Sequence, residues 1–220
     1  MPCGRTLTCS QPRTISSIPS VLSSDRVDRL TSGQQMRADA TAAIEAWLPP
    51  DEGQARLRRE YLQFLAEHDN AMWRACRIGH LTASALVMDE HRERVLLTLH
   101  PKVGRWLQLG GHCELNDPSL REAARREAIE ESGIADVLIS TAPIRLDRHL
   151  VPCAGAMSEH LDVQYLATVR ADACEVMSDE SDDLRWFPLT GLPADLDGSV
   201  RALLEAAMSP LGSGGQIPVS

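Results

Sequence analysis

Between Gly110 and Ile134 the sequence gathers the residue types that handle a divalent cation: a Gly110-Gly111 turn, then Arg126, Glu127, Glu130 and Glu131 at helical spacing. Ser119-Leu120-Arg121-Glu122 reads as a capping box, so a helix over residues 120–132 is predicted, with Gly133 placed to end it in a left-handed conformation. Glu127 and Glu131 are then i and i+4, side by side and about 6 Å apart at Cβ. Like charges at that spacing destabilise a bare helix, and Glu130 and Glu131 near its C-terminus also oppose the macrodipole. A divalent cation such as Mg²⁺ compensates directly, because it takes one or two carboxylates together with waters and substrate phosphates. The Gly-rich turn can add a backbone carbonyl. The competing reading is a solvated acidic face neutralised by Arg121, Arg125 and Arg126.

These residues resemble the box of the Nudix hydrolase family, G-x5-E-x7-R-E-U-x-E-E-x-G-U, where U is aliphatic. Arg126-Glu127-Ala128-Ile129-Glu130-Glu131-Ser132-Gly133-Ile134 matches its second half, with Ala128 as a small substitute for the aliphatic. The first half departs: Asp117 stands where Glu is usual, and one extra residue separates it from Arg126. The insertion falls in the loop and leaves the helix carboxylates in register with Ser119. A weaker likeness runs over residues 80–205, through Trp106 and Leu184-Arg185-Trp186-Phe187-Pro188, and does not reach residues 1–79. The resemblance implies an α/β/α sandwich around a mixed β-sheet. It also implies hydrolysis of a nucleoside diphosphate linked to another moiety, with Mg²⁺ or Mn²⁺ and attack of an activated water on phosphorus. By the same resemblance Glu127 and Glu131 are metal ligands, Gly111 offers its carbonyl, and Arg126 and Glu130 orient the cluster. Family members often add one acid from outside the box, for which Glu180 is the first choice and Glu159 the second.

The elements that must position this segment follow from periodicity. Residues 81–88 and 94–99 are strand-like runs on either side of the charged turn Asp89-Glu90-His91-Arg92, a hairpin pattern. A Gly-rich loop leads to the capped helix, after which residues 137–140, 144–150, 161–169 and 184–187 read as strands and 199–208 as a closing helix. Strands interleaved with two helices, without regular alternation, give an α/β class with a mixed sheet between helices. Upstream, Asp39 precedes a short apolar period ending at Pro49-Pro50, and Leu57, Tyr61, Leu62 and Leu65 form a second helical stripe. The division expected is a leader over 1–35 that does not pack, a helical preamble over 36–79, the chemical domain over 80–208 and a frayed tail over 209–220. The leader's Arg-rich, Ser-rich composition is shared with organellar transit peptides, but an over-extended start is preferred.

Composition narrows the partners. Of 220 residues, 31 are acidic and 22 basic, which works against holding duplex nucleic acid through its phosphates. No stretch reaches the roughly 18 apolar residues of a membrane span. The 6 cysteines show no C-x-x-C pair, so reduced thiols in a cytoplasmic protein are expected. Lys102 is the single lysine, a bias that suggests a GC-rich bacterial genome. A small-molecule nucleoside diphosphate derivative is the expected partner, and a homodimer is one assembly open to the chain.

Several polar residues remain to be placed. His100, Lys102 and Arg105 precede the glycines and could hold a terminal phosphate or base, or could form a plain exposed loop. His160, Asp162 and Gln164 alternate with Leu161, Val163 and Tyr165, so they share one strand face, either lining a substrate pocket or satisfying buried neighbours. Asp162 is expected to face the Glu127 and Glu131 pair. His112 and His149 could act as ligands or acids, although a lone His is usually structural, and Trp106 is more often core than a stacking platform. Two non-hydrolytic alternatives stay open on the same fold: a prenyl-diphosphate isomerase and a nucleotide-derivative sensor without catalysis. The complete hydrolase helix disfavours the isomerase, and the persisting box acids with a region after Trp186 too short for a winged helix disfavour the sensor.

Overall fold

The computed structural model describes residues 31–153, 155–178 and 181–209. At its centre β1 (Gly79–Asp89) lies parallel to β7 (Ala156–Val169) along its whole length, from Gly79 opposite Glu159 to Asp89 opposite Val169. The other pairings are antiparallel. The end of β1 pairs with β2 (Arg94–His100), and its middle pairs with β4 (Leu109–His112), with Ala83 opposite Gly111. β2 carries β8 (Asp183–Pro188) on its outer edge and β3 (Arg105–Leu107) beyond β1 on its inner edge, and β7 carries β5 (Leu138–Ile139) and β6 (Arg145–Cys153). One strand thus meets two partners along one edge, which curls the eight-stranded mixed sheet.

Helices cover both faces, as expected of an α/β/α sandwich. Leu81, Ala83, Ala85 and Val87 of β1 and Leu161, Val163 and Tyr165 of β7 face α3 (Leu120–Ser132), through its Ala123, Ala124 and Ala128. Small residues on that helix allow close approach to the sheet. On the opposite face Leu86 and Met88 pack with Leu166 and with Val200, Leu203, Leu204 and Ala207 of α4 (Gly198–Met208). Trp106 belongs to this second cluster, edge-on to Phe187 with ring centroids 4.8 Å apart, and is therefore core.

The Gly-rich segment expected as loop contains β3 and β4. Too short for a periodic signal, they exist because neighbouring strands supply the ladder. No helix among the described residues is long and apolar enough to cross a membrane.

The preamble is part of the same core. α1 (Ser32–Ala46) begins four residues before the boundary expected at Met36, because Thr31 and Gln34 form a reciprocal capping box; residues 1–30 lie outside the described residues. Asp39 is inside α1 and does not start it. α2 (Glu52–Glu67) is capped by Asp51, whose carboxylate accepts from the Gln54 N–H at 2.8 Å. Met36, Ile44, Tyr61 and Leu65 are buried with the strand residues above. The buried Gln54 amide both donates to the Leu146 carbonyl (3.1 Å) and accepts from its N–H (2.8 Å), and the Tyr61 hydroxyl donates to the Asp147 (2.5 Å) and Asp162 (3.1 Å) carbonyls. α2 therefore completes the hydrogen bonding of β6 and β7.

Ile44→Ala, at a fully buried position, is expected to lower stability by about 2–5 kcal/mol in chemical denaturation. A loss below about 1 kcal/mol would mean that the preamble is not in the core. Starting the chain at Met36 removes the Thr31 cap, an expected cost of about 1 kcal/mol, or a few degrees of melting temperature.

Candidate active site

α3 is fixed at both ends. Ser119 accepts from the Glu122 N–H at 3.1 Å, while a second first-turn donor, the Leu120 N–H, reaches Asp39 of α1 at 3.2 Å. The reciprocal half of the expected capping box is not made. The Glu122 carboxylate turns instead to Arg125 (2.7 Å) and Arg121 (3.4 Å). At the other end Gly133 takes φ +69°, and its N–H closes on the Ile129 carbonyl at 2.8 Å. A Cβ there would meet Val176 at 2.7 Å, so both backbone hand and space require glycine.

Arg126 is the hub of the site. Its guanidinium grips Asp117 with two bonds (2.9 and 3.0 Å), donates to the His112 carbonyl (2.9 Å), and reaches Glu127 (3.0 Å) and Glu130 (2.8 Å). The Asp117 hydrogen bonds raise the Arg126 pKa above its ordinary value. Asp117 also accepts from the Glu114 N–H at 2.7 Å. Asp117 is therefore the loop acid in structure as well as in sequence position: the extra loop residue carries the shorter side chain back to the arginine.

Three carboxylates share this one guanidinium, and the neighbouring arginines of α3 are engaged in other bonds. Arg121 donates to the Ile139 and Ser140 carbonyls at 3.0 and 3.1 Å, and Arg125 is committed to Glu122. Glu131 lies one turn beyond Glu127 on the same helix, partly buried. The backbone of β4 closes the arrangement: a Cβ on Gly111 would meet Glu127 Oε1 at 2.8 Å and Oε2 at 3.0 Å. Gly110, at φ +153°, is likewise obligatory, since a Cβ would fall 2.3 Å from the Ser84 Cβ. Two successive glycines let β4 lie against β1 on one side and the Glu127 carboxylate on the other. A hard cation fits this donor set, which is all oxygen, anionic and crowded against a backbone group.

A sequence model of the NUDIX domain matches residues 79–206. The chain belongs to the Nudix family. Its enzyme class is that of hydrolases acting on pyrophosphate bonds. Among solved structures, it is similar to a NUDIX-family hydrolase from Clostridium perfringens (27% identity over 58% of this chain and 95% of that one, TM-score 0.47). It is also similar to the NUDIX domain of Shewanella oneidensis NrtR complexed with ADP ribose (24%, 66% and 94%, TM-score 0.45) and to a C. elegans Ap4A hydrolase (18%, 58% and 93%, TM-score 0.46). No curated protein sequence matches it significantly.

Other residues singled out in the sequence fall elsewhere on this Nudix fold. Asp162 does not face the Glu127 and Glu131 pair. It lies opposite Thr82, which is opposite His112, so it shares the face of β1 that points away from α3. Its carboxylate accepts from Ser84 (2.6 Å), Thr82 (3.0 Å), Gln164 (3.1 Å) and Gln108 (3.3 Å). Burial raises its pKa and these donors oppose the shift. A parity of one residue on β7 decides the matter. Glu159 is held by Arg148, which also reaches Glu60 at 3.0 Å, and Glu180 lies outside the described residues.

Arg105 pairs with Asp197 (3.0 Å), the cap of α4, and so fastens β3 to that helix. Lys102 is exposed in the β2–β3 turn, where its N–H donates to the half-buried His100 ring at 3.2 Å. His149 bonds Asp147 at 2.9 Å, which raises its pKa. Thr82, Ser84 and Gln108, the partners of Asp162, were not singled out. β1 reads as an apolar run, and only the pairing with β7 makes its polar positions one side of a network.

Gly111→Ala is expected to push the Glu127 carboxylate off the β4 backbone, reducing pyrophosphohydrolase turnover at least tenfold with a near-normal melt. Asp117→Asn leaves Arg126 short of its bidentate partner in a site where the Asp117 side chain is 5% exposed. A stability loss of about 3 kcal/mol is expected in urea titration, and one under about 0.5 kcal/mol would show that the loop does not depend on this pair.

Proposed function

We propose that the chain is a metal-dependent pyrophosphohydrolase that cleaves the diphosphate linkage of a nucleoside diphosphate derivative, with Mg²⁺ or Mn²⁺ held by Glu127, Glu131 and the Gly111 carbonyl. The observation that supports this reading is the fit at Gly111, where a side-chain Cβ would fall within 3.0 Å of both Glu127 oxygens, beside an Arg126 guanidinium that three carboxylates share. A solvated acidic face neutralised by three arginines is disfavoured, because Arg121 and Arg125 bond elsewhere.

When bound, such a cation screens the diphosphate oxygens and makes water acidic enough to be deprotonated near neutral pH. The residues of the chain do the rest. Arg126 holds Glu127 and Glu130 in fixed directions while its grip on Asp117 and the His112 carbonyl stops β4 from moving away from α3. The carboxylate that takes the proton of the attacking water comes from outside the box. For that role Glu180 is proposed on the family resemblance, while Glu159, the second candidate, is paired with Arg148. In-line attack of water on one phosphorus then breaks the P–O–P bond and releases two phosphorylated products, a nucleoside monophosphate and the phosphorylated other moiety.

The test is a panel of nucleoside diphosphate derivatives incubated with Mg²⁺ or Mn²⁺, each product treated with phosphatase and read as phosphate. Glu127→Gln and Glu131→Gln keep size and helix propensity while removing an anionic ligand. Each is expected to lower kcat by about 10³-fold, equivalent to roughly 4 kcal/mol. Chelation with EDTA should abolish turnover in the unaltered protein, and Mg²⁺ should restore it. Full activity in either variant, or in EDTA, would sink the proposal. Stabilisation by a derivative without any product would indicate a sensor.

A further inference from the structure

The face of β1 that points away from α3 is apolar at one end, where α4 covers Leu86 and Met88, and polar at the other. Ser84, Thr82 and His80 follow one another at alternate positions. Strand pairing sets His160 opposite His80, His149 opposite His160, and His112 opposite Thr82. Three of these imidazoles crowd together. Ring centroids are 4.8 Å apart for His80 and His160, 5.0 Å for His80 and His112, and 5.1 Å for His112 and His160. One nitrogen from each ring can be chosen so that all three lie within 4.8 Å of one another, the one such grouping among the described residues.

Packing alone does not account for the cluster. A neutral imidazole carries an N–H donor and a lone pair, and both need partners when buried. His80 is 1% exposed, yet among the described residues neither ring nitrogen meets hydrogen-bond geometry with a partner, and the buried Nε2 of His160 is in the same position. The Cys76 backbone near the His80 ring raises its pKa slightly, but burial outweighs it. Burial likewise lowers the pKa of His112 and His160 below the ordinary imidazole value. The charged groups in range are Arg74, which opposes a cation, and on the neighbouring strands Asp147 with His149, and Asp162.

We propose that His80, His112 and His160 form a binding site for a late first-row divalent cation of the Zn²⁺ type, separate from the carboxylate face of α3. Imidazole nitrogen suits Zn²⁺, Co²⁺ or Ni²⁺ and is a poor ligand for Mg²⁺, whereas the all-oxygen set around Glu127 has the opposite preference. Tetrahedral Zn²⁺ with bonds of about 2.0–2.1 Å needs its nitrogens about 3.3 Å apart, so the rings close by up to roughly 1.5 Å when loaded, a movement within reach of side-chain rotation. Three protein ligands leave a fourth position open. The His149 ring, 5.7 Å from His160, stands next to the cluster with its other nitrogen on Asp147. Consecutive residues of β4 separate the two sites, since Gly111 turns to Glu127 and His112 to His80.

Cobalt distinguishes the two sites, because Co²⁺ absorbs strongly in the visible when four-coordinate with nitrogen ligands and weakly in an octahedral oxygen site. The EDTA-treated full chain is titrated with Co²⁺. Expected is one equivalent giving the intense bands, displaced by equimolar Zn²⁺ and unaffected by a 100-fold excess of Mg²⁺. His160→Asn, at the partly exposed member, should weaken this binding at least 30-fold, and His112→Asn should do the same, while Glu131→Gln retains it. Absence of the bands in the unaltered protein at 100 µM, taken as roughly the weakest affinity of interest, overturns the site. So does their survival in His160→Asn together with loss in Glu131→Gln, which would assign the cation to α3. If the buried His80→Asn fails to fold by circular dichroism, the His160 variant and the Mg²⁺ competition decide. Hydrolysis does not enter this readout, so its outcome is independent of the proposed activity.

Discussion

The guanidinium of Arg126 joins three pieces of chain at one point. It binds the loop through Asp117, the end of β4 through the His112 carbonyl, and its own helix through Glu127 and Glu130. Charge-assisted bonds of this kind are short and directional, and a planar guanidinium fixes angles as well as distances. With the loop acid on one side and the helix acids on the other, β4 is held at a separation that leaves room for the Glu127 carboxylate only because residue 111 has no side chain. A lysine could supply the charge but not the fork. The shorter loop acid and the longer loop compensate each other because the constraint is set at the guanidinium and not along the chain.

Strand parity then divides the chemistry. Ala83 and Gly111 point to α3, and Thr82 and His112 point the other way, so adjacent residues of one hairpin-like pair serve different surfaces. The α3 side collects oxygen donors with excess negative charge. On the other side burial disfavours charge on the imidazoles, and a carboxylate is wrapped in four donors. A low-dielectric sheet face tolerates Asp162 only because Thr82, Ser84, Gln108 and Gln164 all donate to it.

The first two helices stabilise the site from outside it. Asp39 supplies an acceptor to the first turn of α3, and Gln54 and Tyr61 complete β6 and β7 from the buried side. These are long-range bonds between a segment without box residues and the strands that carry the polar face. The family match begins at Gly79, yet the hydrophobic core begins at Met36. Core and family boundary differ because burial follows apolar stripes, wherever along the chain they occur.

Local rules were enough for some of this. The α3 helix, its Ser119 cap, its Gly133 stop and the side-by-side acids follow from spacing within a single helix, where 3.6-residue periodicity leaves one answer. The hairpin of β1 and β2 was legible as two strand-like runs on either side of a charged turn, and β7 from its alternation between His160 and Tyr165. What the sequence could not decide was everything set by a partner distant in the chain: β3 and β4 inside a glycine loop, the diversion of Arg121 and Arg125 to other acceptors, and the side of the sheet to which Asp162 belongs. Asp162 was placed correctly on a face with His160 and Gln164, but which face met α3 depended on its register with Thr82, 80 residues away in sequence. The histidine cluster shows the same limit. Its members come from β1, β4 and β7, and no spacing along the chain relates them until the parallel pairing of β1 and β7 sets their rings against one another.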